Sequence, residues 1–467
     1  MLPLVEELPS DLDVEAAFLR LAAQPHCVFF DSALRDTELG RYSFVAADPF
    51  EYWQAAPSSA GGLWRLEQRL GQFATETIRD LPPFQGGAAG LFSYDLGRTL
   101  ERLPLPDWDE FEIPGLAVGF YDVVLAFDHQ SHRAWLVSQG FPEQDYRTRR
   151  QRAERRRQQF LDWLETEPSI TTQPPDSRAL RAADLAPQFS VADVADLTSD
   201  FAETAYLSAV QRAVDYIHAG DVFQVNLSQR LLHPALDDAV SLYRRLRHCN
   251  PSTFAAYFDL GDVQIVSASP ERFLRVRHGV VEARPIKGTR QRTARPEADL
   301  YAADDLLHSE KDRAENVMIV DLIRNDLSRV CHADSVRVTQ LCHLEVYEFV
   351  QHLVSAVCGQ LDDKKTPIDL LRAAFPGGSI TGAPKVRAME LIAELEPTAR
   401  GAYCGSLGYI GFDGAMDFSI LIRTITAARG WWQLPVGGGI VAQSEPRSEY
   451  EETWHKATGL IRALQPT

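Results

Sequence analysis

The chain has 467 residues and carries 47 Lys and Arg against 65 Asp and Glu, a formal charge of −18. With 45% apolar and 24% charged residues it has an ordinary globular composition, which excludes disordered and collagen-like classes. The acidic balance argues against wholesale nucleic-acid binding and against an anionic membrane surface, but it leaves room for an anionic small substrate at a locally positive site.

The first residues, MLPLVEELPSDLDVE, have neither a basic segment nor an apolar core, so no signal peptide is expected. No apolar run approaches the roughly 18–20 residues needed to span a bilayer. Six cysteines, at 27, 249, 331, 342, 358 and 404, form no CxxC pair and no Cys/His spacing suited to zinc. Free thiols and a cytoplasmic location are the expectation.

Residues 1–140 read as strands and turns with few helices. His26–Phe30, Tyr42–Ala46 and Ala117–Phe127 are β-rich. Residues 143–166 predict a charged helix with seven arginines between 147 and 157. It ends in Phe160, Trp163 and Leu164, so the arginines read as a solvated face rather than a nucleic-acid contact. Residues 167–190, rich in Pro, Ser, Thr and Asp, read as a linker. The expected divisions are an N-terminal region 1–140, a charged helix and linker 141–195, and a third region 196–467.

Glu203–Ala219 predicts an amphipathic helix ended by Gly220. Val222–Arg230 alternates: Phe223, Val225 and Leu227 on one face, Gln224, Asn226 and Ser228 on the other. That polar face is either a cavity wall or an exposed surface. Further on, His278-Gly279 reads as a two-residue hairpin loop. Counting outward from Arg277 opposite Val280 sets Glu271 opposite Ile286, next to Lys287. The pair is either a strand-end ion pair or a general acid beside a reactive amine.

Ser309–Val330 and Ser448–Leu464 predict two helices, with Ser309/Asp312 and Ser448/Glu451 as start signals. Asp312 with Glu315, and Glu449 with Glu452, are spaced i,i+3 and share a face; Lys456 continues the second. The two carboxylate pairs are either solvated first turns or converging ligands for a hard cation such as Mg²⁺. FPGGSITGAPK (375–385) is not a Walker A motif, because Ala383 and Pro384 intervene before the lysine. It is either a tight connection or an anion site at the start of the helix Pro384–Leu395. The three glycines 437–439 let backbone N–H groups approach an anion closely.

Taken together, GDVFQVNLSQR (220–230), SASPERF (267–273), RPIKGTR (284–290), SEKDRAENVMIVDLIRNDLSRV (309–330), FVQHLVS (349–355), FPGGSITGAPKVRAMEL (375–391), AYCGSLGYIG (402–411), DFSILIRT (417–424) and GGGIVAQSEPRSEYEET (437–453) resemble the chorismate-utilising enzyme family. The likeness is strong from about residue 200 onward. It continues weakly through FFDSALRDTELGRYSFVAADP (29–49), which resembles the N-terminal segment of the aminating members. The resemblance implies an α+β fold of two interleaved subdomains around large, mainly antiparallel sheets, with all three regions in one compact body.

It also implies roles. Mg²⁺ would sit between Glu315 and Glu452, with Asp312 and Glu449 supporting through water, and would hold the ring carboxylate together with the backbone of Gly437, Gly438 and Gly439. Tyr403 and Arg423 match positions that hold the enolpyruvyl carboxylate. His352 and Thr381 match residues lining the ring, and Thr289, Lys385 and Lys456 also match. Members that add water at C2 carry a lysine where this chain has Gln224, which cannot act as that base. Members that aminate at C2 usually read PIAGT where this chain reads PIKGT, the pattern of C4 amination toward para-aminobenzoate and folate. Lys287 would then attack C2 and Glu271 would protonate the departing C4 hydroxyl. The alternative is C2 amination to anthranilate, toward tryptophan. No segment could hold a Cys-His-Glu glutaminase, so ammonia is expected from a separate glutaminase subunit. Finally, Ser32 and Arg41-Tyr42-Ser43, opposite Asn250-Pro251-Ser252, match a tryptophan pocket of relatives, although the continuation Thr253-Phe254 departs from the feedback-sensitive pattern.

Overall fold

The computed structural model describes residues 2–35, 39–167, 179–191, 194–292, 295–346 and 350–465. Part of the expected linker, 168–178, therefore lies outside the described residues. Among those described, two large sheets form, of thirteen and ten strands, and every named strand pairing in them is antiparallel. The fold is α+β, as expected.

Early and late parts of the chain share both sheets. Val28–Asp31 pairs with Phe254–Asp259, and Gly87–Phe92 pairs with Ser406–Gly411. The sheets pack face to face over Val28, Phe44, Ala89, Leu91, Ile265 and Leu407, with the Phe84 and Tyr409 rings stacked at 4.4 Å between centroids. Helices cover the outer faces. Phe18, Phe160, Tyr243 and Leu460 seal the larger sheet, while Leu371, Ala388 and Leu391 help seal the smaller. Burial of these apolar faces is the main drive for the layering.

Several local expectations are corrected. The arginine helix, Tyr146–Glu165, is not simply a solvated face. Arg149 donates to the Gln139 carbonyl (2.8 Å), Arg152 to that of Phe141 (2.6 Å), and Arg156 to Asp122 (3.3 Å) and Asp48 (2.5 Å). Helical spacing puts these three on the inner face, leaving Arg147, Arg150 and Arg155 exposed. Asp122, fully buried between Leu116–Tyr121 and Val123–Asp128, needs the cations of Arg152 and Arg156. The expected strand Ala117–Phe127 is thus two strands that turn at Asp122.

The strand expected at Val222–Arg230 runs Gln224–Pro234 and is buried from Gln224 to His233, so its polar face is an interior wall. Phe223 precedes it and is 70% exposed, so it does not share the apolar face of Val225 and Leu227. The first carboxylate helix, Glu310–Ser328, starts as expected: the Ser309 side chain accepts from the Asp312 N–H at 3.2 Å. The second runs Pro446–Leu464 with Glu445 as its N-cap. Ser448 is therefore inside the first turn and not the cap, because Pro446 has the fixed φ and missing N–H that suit a helix start. Pro384 caps the helix Lys385–Leu395 rather than opening it.

Candidate active site

The hairpin at His278-Gly279 forms as predicted, with φ of 52° and 76° at the two loop residues and Arg277 paired with Val280. The ladder does not continue to Glu271 as a simple count requires. Val280–Ala283 ends, and Ile286–Gln291 pairs instead with Val350–Gln360. Glu271 nevertheless arrives beside Ile286, whose N–H bonds its carboxylate. Ser379 completes the link: its hydroxyl donates to Glu271 Oε1 at 2.8 Å, and its carbonyl accepts from Lys287 Nζ at 2.8 Å. Burial pushes the Glu271 carboxyl up, against the pull of the Lys287 charge and the two hydrogen bonds. It therefore holds its proton to higher pH than an ordinary carboxyl, as a general acid requires. Ser379 lies inside the 375–385 string but is not identifiable as this bridge from sequence, because the contact spans 92 and 108 positions.

The two carboxylate helices face one another. Glu315 feels Lys287, Lys311, Asp312 and Glu449; burial raises its pKa, with the two lysines opposing. Burial alone would also raise Glu452, but Lys456, 2.6 Å from its Oε1, holds it below the usual range. Glu449 accepts from Ser444 Oγ at 2.6 Å and meets Lys311 Nζ at 3.3 Å. Asp312 lies against Gly288 and 3.4 Å from Arg290. Among the described residues no three His, Cys, Asp or Glu side chains already stand at metal-ligating distance; Lys311 and Lys456 stand among the acids instead. The donors present are carboxylate oxygens from two helices, the ligand chemistry that hard cations such as Mg²⁺ prefer.

The glycine strand borders this cluster. A Cβ on Gly438 would lie 3.4 Å from Glu449, 3.5 Å from Lys456 and 3.6 Å from Glu452. One on Gly439 would lie 2.1 Å from Gln224 Nε2, so the Gln224 amide would have to move to admit it. Lys456 Nζ also donates to the Gly437 carbonyl at 2.8 Å. Across from it, Gln224 Oε1 and Asn226 Oδ1 are buried acceptors without a hydrogen-bond partner among the described residues. Buried acceptors of this kind take a hydrogen bond from water or from a bound molecule.

Arg423 brings positive charge to the same region. Burial lowers its pKa, and it feels Tyr403 and Glu452, but no salt bridge or side-chain hydrogen bond is formed to it among the described residues. A half-buried guanidinium without a carboxylate partner is a natural seat for an anion. Tyr403 is buried nearby. His352, paired in register with Thr289, bonds the Gly288 backbone; the Thr289 side chain lies outside the described residues. The Thr381 hydroxyl is buried and donates to the Gly377 carbonyl at 3.0 Å. Lys385 is turned elsewhere, donating to Asp326 and the Ala374 carbonyl, each at 2.7 Å.

His352 supports a stability prediction. Burial, with Arg423 behind it, lowers its pKa from 6.5 to about 4. A neutral folded form means its contribution is full above pH 6.5 and is lost as pH falls toward 4. That loss is about 3 kcal/mol for a shift of this size. Melting temperature should therefore fall across pH 6.5–4, and His352→Gln should flatten that part of the curve; a slope equal to wild type would show that another group drives it.

The chain matches the chorismate binding enzyme family over residues 26–462. It belongs to that family. This chorismate binding enzyme is 45% identical over 386 residues to anthranilate synthase component 1 of Thermus thermophilus, covering 83% of this chain and 79% of the relative. It is 39% identical over 465 residues to aminodeoxychorismate synthase component 1 of Escherichia coli, covering 97% and 96%. The crystal structure of anthranilate synthase component I from Streptococcus pneumoniae superposes with a TM-score of 0.77 at 31% identity, covering 92% of this chain and 94% of that one. No helix of the described residues of this chorismate binding enzyme is long and apolar enough to cross a membrane.

The remaining predicted group also gathers. Ser32 Oγ donates to the Tyr42 carbonyl (2.6 Å), the Ser32 N–H donates to Ser43 Oγ (3.0 Å), and Ser43 Oγ meets His129 Nε2 (2.7 Å). Arg41 pairs with Asp128 at 2.8 Å, and the Leu34 N–H reaches the Ser252 carbonyl at 3.0 Å. These polar groups are spent on one another, so a ligand here would have to displace internal bonds.

Proposed function

We propose that this chain aminates chorismate at C4, giving 4-amino-4-deoxychorismate, with ammonia from a separate glutaminase component. The observation that carries the reading is the Lys287–Ser379–Glu271 link, which sets an amine and a buried acid side by side. The Lys287 amine adds at C2 as the C4 hydroxyl leaves, and Glu271 gives that hydroxyl its proton. Ammonia then adds at C4, the lysine leaves C2, and the proton lost by the incoming nitrogen returns Glu271 to its acid form. For the attack Lys287 must be neutral, so its proton has to be lost first.

Arg423, with Tyr403, is proposed to take the enolpyruvyl carboxylate. The Gly437–Gly439 backbone borders the ring carboxylate, with His352 and Thr381 along the ring. Glu315 and Glu452 would hold Mg²⁺, with Asp312 and Glu449 behind them; bound there, the ion would supply positive charge to the ring carboxylate. Gln224, an amide, cannot activate water, which weighs against hydration at C2. The component 1 designation of the relatives supports a partner component for this chain. Tryptophan at the Ser32 group belongs to the same proposal, opposed by the internal bonding described above.

A second reading, C2 amination to anthranilate, is favoured by the 45% identity to an anthranilate synthase component. One incubation separates them: chorismate, Mg²⁺ and excess ammonium, with the product identified by chromatography and fluorescence. The C4-aminated product is expected; anthranilate would overturn the proposal.

A further inference from the structure

We propose that Arg400 is a positioning residue that holds the acid–amine pair in register by tying together the walls around it. The test rests on the proposed amination only for its assay. Arg400 and Glu396 are 3% and 5% exposed, and their side chains meet through two hydrogen bonds of 2.8 and 2.7 Å. The same guanidinium donates to the Ile380 carbonyl and to the Asn226 carbonyl, each at 3.0 Å. Glu396 in turn accepts from the Ser228 N–H at 2.8 Å and from its hydroxyl at 2.9 Å. The guanidinium carbon lies 4.7 Å from the Tyr94 ring centroid and 5.8 Å from that of Tyr403.

Each tie leads to the site by one short step. Ile380 follows Ser379, the residue that bonds both Glu271 and Lys287. Asn226 and Ser228 lie on the polar face that also carries Gln224. Tyr403 neighbours Arg423. A buried ion pair is weak evidence for stability, since well-packed apolar residues often serve as well. What an apolar pair cannot do is fix two carbonyls of separate segments in one plane. Lysine cannot do it either, being a point charge without the planar fork.

Arg400→Lys should therefore lower kcat of ammonium-driven chorismate consumption about 10²-fold, the cost of a misplacement of about 1 Å. KM for chorismate should stay within about threefold. The kcat–pH profile should shift as well, because the Ser379 hydrogen bond to Glu271 is loosened. Glu396→Gln, which keeps the shape but weakens the grip on Arg400, should give the same signature at smaller amplitude and decides the matter if Arg400→Lys does not fold. Unchanged kcat, or a loss that follows melting temperature with an unshifted pH profile, would overturn the proposal. Chorismate consumption reads out Arg400 whichever carbon is aminated, whereas the wild-type product reads out the reaction, so the two ideas fail separately.

Discussion

Lys287→Ala should lower ammonium-driven C4 amination by about 10³-fold while leaving the fold intact. Among the described residues the side chain makes one hydrogen bond, to the Ser379 carbonyl, so little packing is lost. What disappears is the amine that would carry the substrate between loss of the hydroxyl and arrival of ammonia. The substitution also removes the charge that opposes the upward push of burial on Glu271. The acid should then keep its proton to still higher pH, moving any residual activity's alkaline limb upward. Steady-state amination equal to wild type would refute covalent catalysis by this lysine. Circular dichroism and melting temperature near wild type would show that the loss is chemical.

Glu452→Gln is expected to have the second large effect. Lys456 holds the pKa of this partly exposed carboxylate below the usual range, so it is poised as an anionic donor at neutral pH. The amide removes that charge and leaves Lys456 facing a neutral group. Mg²⁺ affinity by calorimetry should fall by more than the roughly 10–100-fold typical of a supporting residue, and turnover should fall with it. Glu449→Gln, whose carboxylate is also held by Ser444 and Lys311, should stay within that smaller range. An unchanged Mg²⁺ titration with Glu452→Gln would remove the helix pair as the metal site.

Much of this site is legible in the residues because its parts are local. The i,i+3 carboxylate pairs follow from helical spacing, and the hairpin follows from one dipeptide. The bridge through Ser379 and the tie of Arg400 to Asn226 are not legible, since they depend on contacts 92 to 174 positions apart. The arginine helix misleads for a related reason. Its composition reads as surface, but Arg149, Arg152 and Arg156, three and four positions apart, meet the carbonyls of Gln139 and Phe141 or the Asp122 carboxylate. Lys311 and Lys456 among the acids likewise become meaningful only when the two helices face each other.

The sharing of both sheets by distant parts of the chain has a consequence for synthesis. Thr424–Ala428 and Trp431–Ile440 lie between Val263–Ser269 and Gln224–Pro234 in one sheet, and Met416–Ile420 and Ser406–Gly411 lie between Arg272–Arg277 and Gly87–Phe92 in the other. Each sheet therefore keeps a gap in its middle until residues 406–440 leave the ribosome, and the helix bearing Glu449 and Glu452 emerges later still. The nascent chain has to wait with unpaired strand edges, the state most prone to aggregation. A product that stops short of that helix would leave both the gap-filling strands without their cover and the acid cluster without half its members.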